Sequence, residues 1–185
     1  MPRMLDRGSG LPGPVNGIAA SAHGSSAHSQ GSGRPGRWLA PLLFAAAVLA
    51  TAVVGSLAAT GSRSTYDGLD LPPFAPPGWL FGPVWTVLYV AIALAGWLVW
   101  RRVGLDASIA MWAVQLVLNA AWTPLFFAAD RYWLAFAEIC LLWVAVAATV
   151  AMFGRRRRLA AALLLPYLAW VTYAGALNLA IALAN

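Results

Sequence analysis

One apolar stretch in the middle of the chain carries polar and aromatic side chains at helical spacing. Gln115, Asn119, Trp122 and Phe126 fall at i, i+4, i+7 and i+11, so a helix would place them on one face. Aromatic rings stack on flat apolar molecules, and amides hydrogen-bond their polar edges. Buried amides also join neighbouring helices, a structural role typically worth about 1 kcal/mol per contact. Both interpretations stay open for this face.

Similar faces recur in three other apolar stretches. Trp85 and Tyr89 lie one turn apart, and Glu138 precedes Leu141 by three residues. A further face combines aromatic, small and amide side chains: Trp170, Ala174, Leu177 and Asn178. Polar groups that face lipid are costly, so we expect all these faces to converge in the interior of one bundle. Together they predict a site for a flat, hydrophobic ligand.

The chain offers little that could catalyse a reaction or hold a metal. His23 and His28 are the only histidines, and both precede the apolar stretches. There is no glycine-rich phosphate loop and no pair of carboxylates at helical spacing. Cys140 is the only cysteine, which excludes an internal disulfide and a metal site built on a cysteine pair. We therefore predict neither catalytic nor metal-binding residues.

The residues described above lie in apolar stretches of the chain, and five such stretches are long enough to cross a bilayer. Apolar residues form 61% of the chain and charged residues only 10%, against roughly 25% charged in soluble domains. About 20 apolar residues cross a hydrocarbon core roughly 30 Å thick, and no strand-like alternation occurs. The sequence predicts an all-α integral membrane protein, a bundle of five transmembrane helices. The predicted spans are residues 38–59, 79–100, 107–129, 132–153 and 159–184.

The net charge of +6 comes from twelve arginines, whose positions along the chain indicate the membrane topology. Ten lie before span one, between spans two and three, or in the run Arg155 to Arg158 between spans four and five. Only Arg63 and Arg131 lie in the other two connections. Arginine-rich loops stay in the cytoplasm, so we predict a cytoplasmic N-terminus and no nucleic-acid partner. A contact of Arg155 to Arg158 with lipid headgroups is the alternative.

Two segments outside the spans differ in composition. Residues 1–37 are rich in Gly, Ser, Ala and Pro without an apolar face, which predicts a disordered tail. Residues 60–78 hold four prolines around Phe74, which restrict the backbone and predict a pre-shaped lid over a site between helices. Span one repeats a small residue at every fourth position, a spacing typical of close helix packing or a dimer contact: Ala47, Thr51, Gly55 and Ala59.

Three motifs in register resemble one known family. The runs are APPGWLFGPVWTVLY, QLVLNAAWTPLFF and LLLPYLAWVTYAGALN, in spans two, three and five. Together they resemble the translocator protein family, also called tryptophan-rich sensory proteins or peripheral benzodiazepine receptors, over about residues 38–185. The resemblance implies a five-helix membrane domain that is commonly dimeric, with a ligand cavity capped by the loop after helix one.

The resemblance also implies which residues line that cavity. Tyr66 would come from the lid, and ten residues would come from helices two to five: Trp85, Tyr89, Asn119, Trp122, Ala137, Glu138, Leu141, Trp170, Ala174 and Leu177. Most of them coincide with the faces read from helical spacing. Leu71 and Phe74 depart from the family pattern, in which many relatives have a basic residue and a Trp. The proposed sterol motif needs a basic residue after Tyr173, and none follows it.

From the resemblance we expect a membrane receptor that binds porphyrins such as protoporphyrin IX, or other flat hydrophobic molecules, as a homodimer in contact with lipid. No cofactor is required, because porphyrin is the ligand. Light- and oxygen-dependent porphyrin breakdown and passive carriage of a tetrapyrrole or sterol are the alternatives that family members leave open. If Glu138 lines the pocket, Cys140 points away, so we expect metal-free porphyrin. We expect the bacterial cell membrane, with the outer membrane as alternative.

Overall fold

The structure is a computed structural model that describes residues 36–59 and 62–185, with side chains for 39–59 and 65–185. Long helices make up most of it, and no strand occurs within these described residues. The predicted disordered tail, with His23 and His28, lies outside the described residues except for Gly36 and Arg37, which begin the first helix.

The described residues form six α-helices, and five of these are long and apolar enough to cross a membrane. In chain order the helices are α1 (Gly36–Ala58), the short α2 (Ser62–Asp67), α3 (Phe81–Val103), α4 (Ala107–Thr123), α5 (Tyr132–Arg156) and α6 (Arg158–Ala184). This architecture confirms the predicted all-α membrane fold, whereas the dimer stays a prediction. Both α3 and α5 run three residues past the predicted spans, because long arginine side chains at a helix end extend toward water without ending the helix.

The bundle is held together by apolar packing between neighbouring helices. α6 packs against α5 and α3, α4 packs against α5, and α1 packs against α3 and α4. The largest fully buried side chains include Tyr167, Phe153, Ile92, Leu142 and Leu164. Apolar side chains cover the outward surface as well, which suits a protein whose surroundings are hydrocarbon.

A glycine sets the closest approach between three of the helices. A Cβ atom at Gly96 of α3 would lie 2.7 Å from Cε2 of Trp112 and 2.9 Å from Cδ1 of Phe44. Real Cβ atoms essentially never come this close, so the Trp112 ring needs the space that glycine leaves. The Trp112 indole N–H donates to the carbonyl oxygen of Ile92 at 3.0 Å. α1, α3 and α4 therefore meet at this one position.

At the arginine-rich end of the bundle, Asp106 caps α4. Its carboxylate accepts from the backbone N–H groups of Ser108 at 3.0 Å and Ile109 at 3.2 Å, and from the Ser108 hydroxyl. Nη2 of Arg156, at the end of α5, lies 3.0 Å from the same carboxylate. The Ser108 hydroxyl bond, with help from the two N–H groups and Arg156, holds the pKa of Asp106 below its usual range. This cap ties α4 to α5.

At the other end, which we call the lid end, Pro124 alters the course of α4. The helix continues as a wider π turn over Pro124–Ala128, in which the N–H of Ala129 donates to the carbonyl oxygen of Pro124 at 3.0 Å. Such turns are frequent at functional sites. This one buries Phe126 and places Phe127 beside an open space under the lid.

Candidate ligand-binding site

The lid between α1 and α3 is a folded segment. The ring of Tyr66 is buried and packs edge-on against Phe81, with 5.6 Å between the ring centroids. Its hydroxyl donates to the carbonyl oxygen of Pro76 at 3.0 Å. Burial raises the pKa of Tyr66 to about 12, so the phenol stays protonated at neutral pH and remains a donor. Tyr66 thereby joins the two halves of the lid.

Hydrogen bonds at two lid positions, Phe74 and Asp70, attach the lid to α6 and to Asn185, which follows it. The Tyr173 hydroxyl donates to the carbonyl oxygen of Phe74 at 2.8 Å, and the two rings pack edge-on. The N–H of Asp70 donates to the side-chain oxygen of Asn185 at 3.2 Å. Because both contacts join residues about a hundred positions apart in sequence, they fix where the lid sits over the helices.

A cavity of about 500 Å³ opens between α1, α3, the end of α4 and the lid. Its size falls within the usual range for small-molecule sites. Among the residues whose side chains the structure describes, those that line the cavity are all uncharged: Ala52, Gly55, Ser56, Ala59, Tyr66, Gly78, Trp79, Phe81, Gly82, Trp85, Thr86, Tyr89, Trp122, Thr123 and Phe127. An apolar ligand is therefore favoured over an ionic one at this position.

Aromatic rings form two walls of this cavity. On α3, Trp85 and Tyr89 pack at 5.2 Å between centroids with 30° between their planes. On the other side, Trp122 of α4 and Phe127 of the π turn line the cavity and meet edge-on. The buried ring of Phe126, which does not line the cavity, stacks on Trp122 at 5.1 Å with 27° between their planes. Four of the residues predicted from sequence thus line the cavity: Tyr66, Trp85, Tyr89 and Trp122.

The amides that lie beside these walls are bonded to other helices. The Tyr89 hydroxyl donates to the side-chain oxygen of Asn119, and the Asn119 side-chain N–H donates to the Tyr167 hydroxyl, both at 3.1 Å. Asn178 accepts from the Trp122 indole at 3.1 Å and donates to the carbonyl oxygen of Tyr132 at 2.9 Å. The interhelical interpretation therefore holds for Asn119 and Asn178, and these bonds hold the aromatic walls in place.

Four other predicted residues line small voids deeper in the bundle. Asn119, Trp170 and Ala174 surround one of about 10 Å³, which we call the inner pocket. Leu177 and Ala174 border a second void of similar volume. The inner pocket shares Phe81, Trp85 and Trp122 with the large cavity, so these rings separate the two spaces. Only a movement of the rings would let a large ligand reach Trp170 from the cavity.

Glu138 lies on the inward face of α5. It is 8% exposed, and neither of its carboxyl oxygens has a hydrogen-bond partner within the described residues. An ionised carboxylate would be very costly to bury without a partner. Glu138 is inside the bundle as expected, although it borders none of the cavities described above. Cys140 is exposed, away from Glu138.

Ala137 and Leu141, by contrast, do not lie where the resemblance placed them. Leu141 is 62% exposed and Ala137 is also exposed, so both belong to the outward face of α5. Successive residues on a helix turn by about 100°, so the inward face that holds Glu138 continues at Leu142. Ile139 and Leu142 are the α5 residues that border the inner pocket.

Sequence reasoning missed two contributions to the site. Tyr167 is fully buried and closes the hydrogen-bond chain from Tyr89. The small residues of span one line the cavity through Gly55 and Ala59, where packing or a dimer contact was expected. A Cβ at Gly55 would lie only 3.6 Å from the Thr123 hydroxyl. The sequence showed that a small residue recurs at every fourth position. It did not show that these small residues leave room for a ligand.

A bundle of five membrane-spanning helices with an aromatic cavity under a folded lid defines a class of helical membrane proteins with an internal binding site. The model of the TspO/MBR family matches residues 43–184, and the chain belongs to that family.

Curated relatives from all three domains of life agree. The tryptophan-rich sensory protein of Cereibacter sphaeroides is 38% identical over 76% of this chain and 88% of its own length. The tryptophan-rich protein TspO of Archaeoglobus fulgidus is 40% identical over 75% of this chain and 92% of its own length. The human translocator protein is 39% identical over 61% of this chain and 70% of its own length. The chain is thus an integral membrane protein of this family.

Proposed function

We propose that the protein is a membrane receptor that binds a porphyrin, such as protoporphyrin IX or another flat hydrophobic molecule, in the cavity under the lid. The observation that carries the proposal is the pair of aromatic walls, Trp85 with Tyr89 and Trp122 with Phe127, in a cavity of about 500 Å³ that no charged side chain among the described residues lines. A flat ring system gains both apolar burial and stacking between such walls.

The ends of the cavity suit different parts of such a ligand. Hydroxyl groups lie on three of its helix walls, at Ser56, Thr86, Tyr89 and Thr123. The acidic side groups of a porphyrin would extend out of the cavity toward exposed Arg131 at the lid end. Cys140 is exposed on the outward side of α5, so it would not reach an iron atom in the cavity. We therefore propose that the porphyrin binds by stacking and without iron.

The arrangement in the membrane follows from the arginines. Ten of twelve lie before α1, in its first turn or at the end of the bundle opposite the lid. We therefore place the N-terminus in the cytoplasm and the lid on the far side of a bacterial cell membrane. The receptor would act as a homodimer.

A titration of the purified full chain with protoporphyrin IX, followed by quenching of tryptophan fluorescence, tests the proposal. Saturation at one porphyrin per chain supports it, and quenching that rises linearly without saturation contradicts it. Intact porphyrin recovered after illumination favours a receptor, whereas consumed porphyrin favours an enzyme. Flux of porphyrin across sealed vesicles that contain the protein would favour a carrier.

A further inference from the structure

A groove on the lipid-facing side of the bundle runs between α3 and α6, on the opposite side of Trp170 from the inner pocket. Its walls are Pro83, Val84, Val87 and Leu88 on α3, with Leu80 in the short 3₁₀ turn before it, and Pro166, Ala169, Trp170 and Tyr173 on α6, with Pro76 of the lid at one end. The polar side-chain atoms among them are the Tyr173 hydroxyl, which donates to the carbonyl oxygen of Phe74, and the buried indole nitrogen of Trp170.

The length and position of the groove fit one alkyl chain. From Leu80 to Leu88 it extends about 12 Å along α3 at 1.5 Å per residue, close to the roughly 15 Å of hydrocarbon in one leaflet. It begins under the lid, and both walls belong to membrane-spanning helices. The surrounding solvent at that depth is lipid hydrocarbon, and a hollow with almost wholly apolar walls does not hold water.

Among the described residues, Trp170 is the one that borders both this groove and the inner pocket. Its side chain borders the groove on one side and the inner pocket on the other. The ring is held by edge-on packing against Phe81, at 5.8 Å, and by contact with Tyr173, at 5.5 Å. Its indole nitrogen is buried and has no hydrogen-bond partner within the described residues. Rotation of the ring would therefore break no hydrogen bond.

We propose that the groove between α3 and α6 binds one acyl chain of a phospholipid from the leaflet at the lid end, and that Trp170 is the partition between this chain and the inner pocket. The site is separate from the cavity between α1 and α3, so it does not depend on the proposed receptor function. Lipid bound there would press on the same ring that borders the interior.

Photolabelling tests the groove. The full chain is reconstituted in phosphatidylcholine vesicles with a small fraction of phosphatidylcholine that carries a diazirine on one acyl chain, and adducts are mapped by peptide mass spectrometry. We expect adducts on 80–88 and 166–173 to exceed those on the outward residues Leu141, Trp143 and Val144 at least fivefold. Adducts that simply follow exposure would overturn the proposal.

Two matched variants sharpen the result. Val87→Trp fills the groove, whereas Val144→Trp makes the same change on the outward face of α5; the two valines are 69% and 59% exposed. We expect Val87→Trp to reduce groove adducts at least fivefold and Val144→Trp to leave them unchanged. If Val87→Trp does not fold, Ala169→Leu fills the opposite wall and should have the same effect. Equal adducts in the groove-filling variant and the control would refute the site.

The partition has its own test. Ile139 and Leu142 are buried behind Trp170 in the inner pocket. We expect Trp170→Ala to produce adducts on these two residues that wild type and Trp170→Phe lack. Their absence in a folded Trp170→Ala protein would show that the ring separates nothing.

Discussion

The variant Trp85→Ala tests the proposed binding site most stringently. Trp85 lines the large cavity, packs on Tyr89 at 5.2 Å and meets Tyr167 edge-on at 6.1 Å. Its removal takes away one stacking surface, and the loss of a large buried apolar contact costs about 1 to 3 kcal/mol. At 1.4 kcal/mol per tenfold change, the Kd for protoporphyrin IX should rise about 5- to 150-fold. Trp85→Phe retains a ring and should lose less.

The assay is the fluorescence titration with protoporphyrin IX in lipid nanodiscs, with thermal unfolding to confirm that each variant is folded. Trp133→Ala is the matched control, because Trp133 also lies near the lid end but is 57% exposed on the outward face of α5. We expect its Kd to stay within twofold of wild type. If the control weakens binding as much as Trp85→Ala, the ligand lies elsewhere and the reasoning is wrong.

Replacing residues 66–77 with a Gly/Ser linker should leave the helices folded but speed porphyrin dissociation in stopped-flow measurements, because the bonds that fix the lid are lost; an unchanged rate would exclude a lid function. Glu138→Leu should raise the thermal midpoint by removing a buried carboxyl without partners, worth about 1 to 3 kcal/mol, and a lower midpoint would reveal a partner. Gly96→Ala should destabilise by about 1 to 3 kcal/mol through overpacking, whereas Gly154→Ala, with its nearest neighbour at 3.8 Å, should not. Asp106 has a lowered pKa, so its contribution to stability is present at neutral pH and lost as pH falls through 3.8 and below; Asp106→Asn should flatten that part of an acid unfolding curve.

The helices could be predicted from sequence because length and apolar composition are local properties. The same holds for Trp85 and Tyr89, or Asn119 and Trp122, which share a face through helical spacing alone. What spacing could not decide was whether Asn119 bonds a ligand or a helix. Its partner Tyr167 is 48 residues away and became visible only in the folded chain.

The rotation of α5 about its axis is where prediction failed. In a membrane the outward face of a helix is as apolar as the inward face, so composition does not distinguish them. Leu141 and Leu142 are chemically identical, yet Leu141 is 62% and Leu142 is 2% exposed. Glu138 was the one residue of α5 whose type indicated the inward face. Residues four positions apart lie on the same face of a helix, so this face continues at Leu142.

A crystal structure of the full chain with protoporphyrin IX tests the central claim most directly. We predict that the porphyrin lies between α1, α3 and the end of α4, stacked on the ring of Trp85 or Trp122. The centroid of that ring should lie about 4.5 to 7 Å from the centroid of the nearest pyrrole ring, as in other aromatic pairs. A porphyrin bound on the outward face of α5, beside Leu141, with the cavity under the lid empty, would contradict the account.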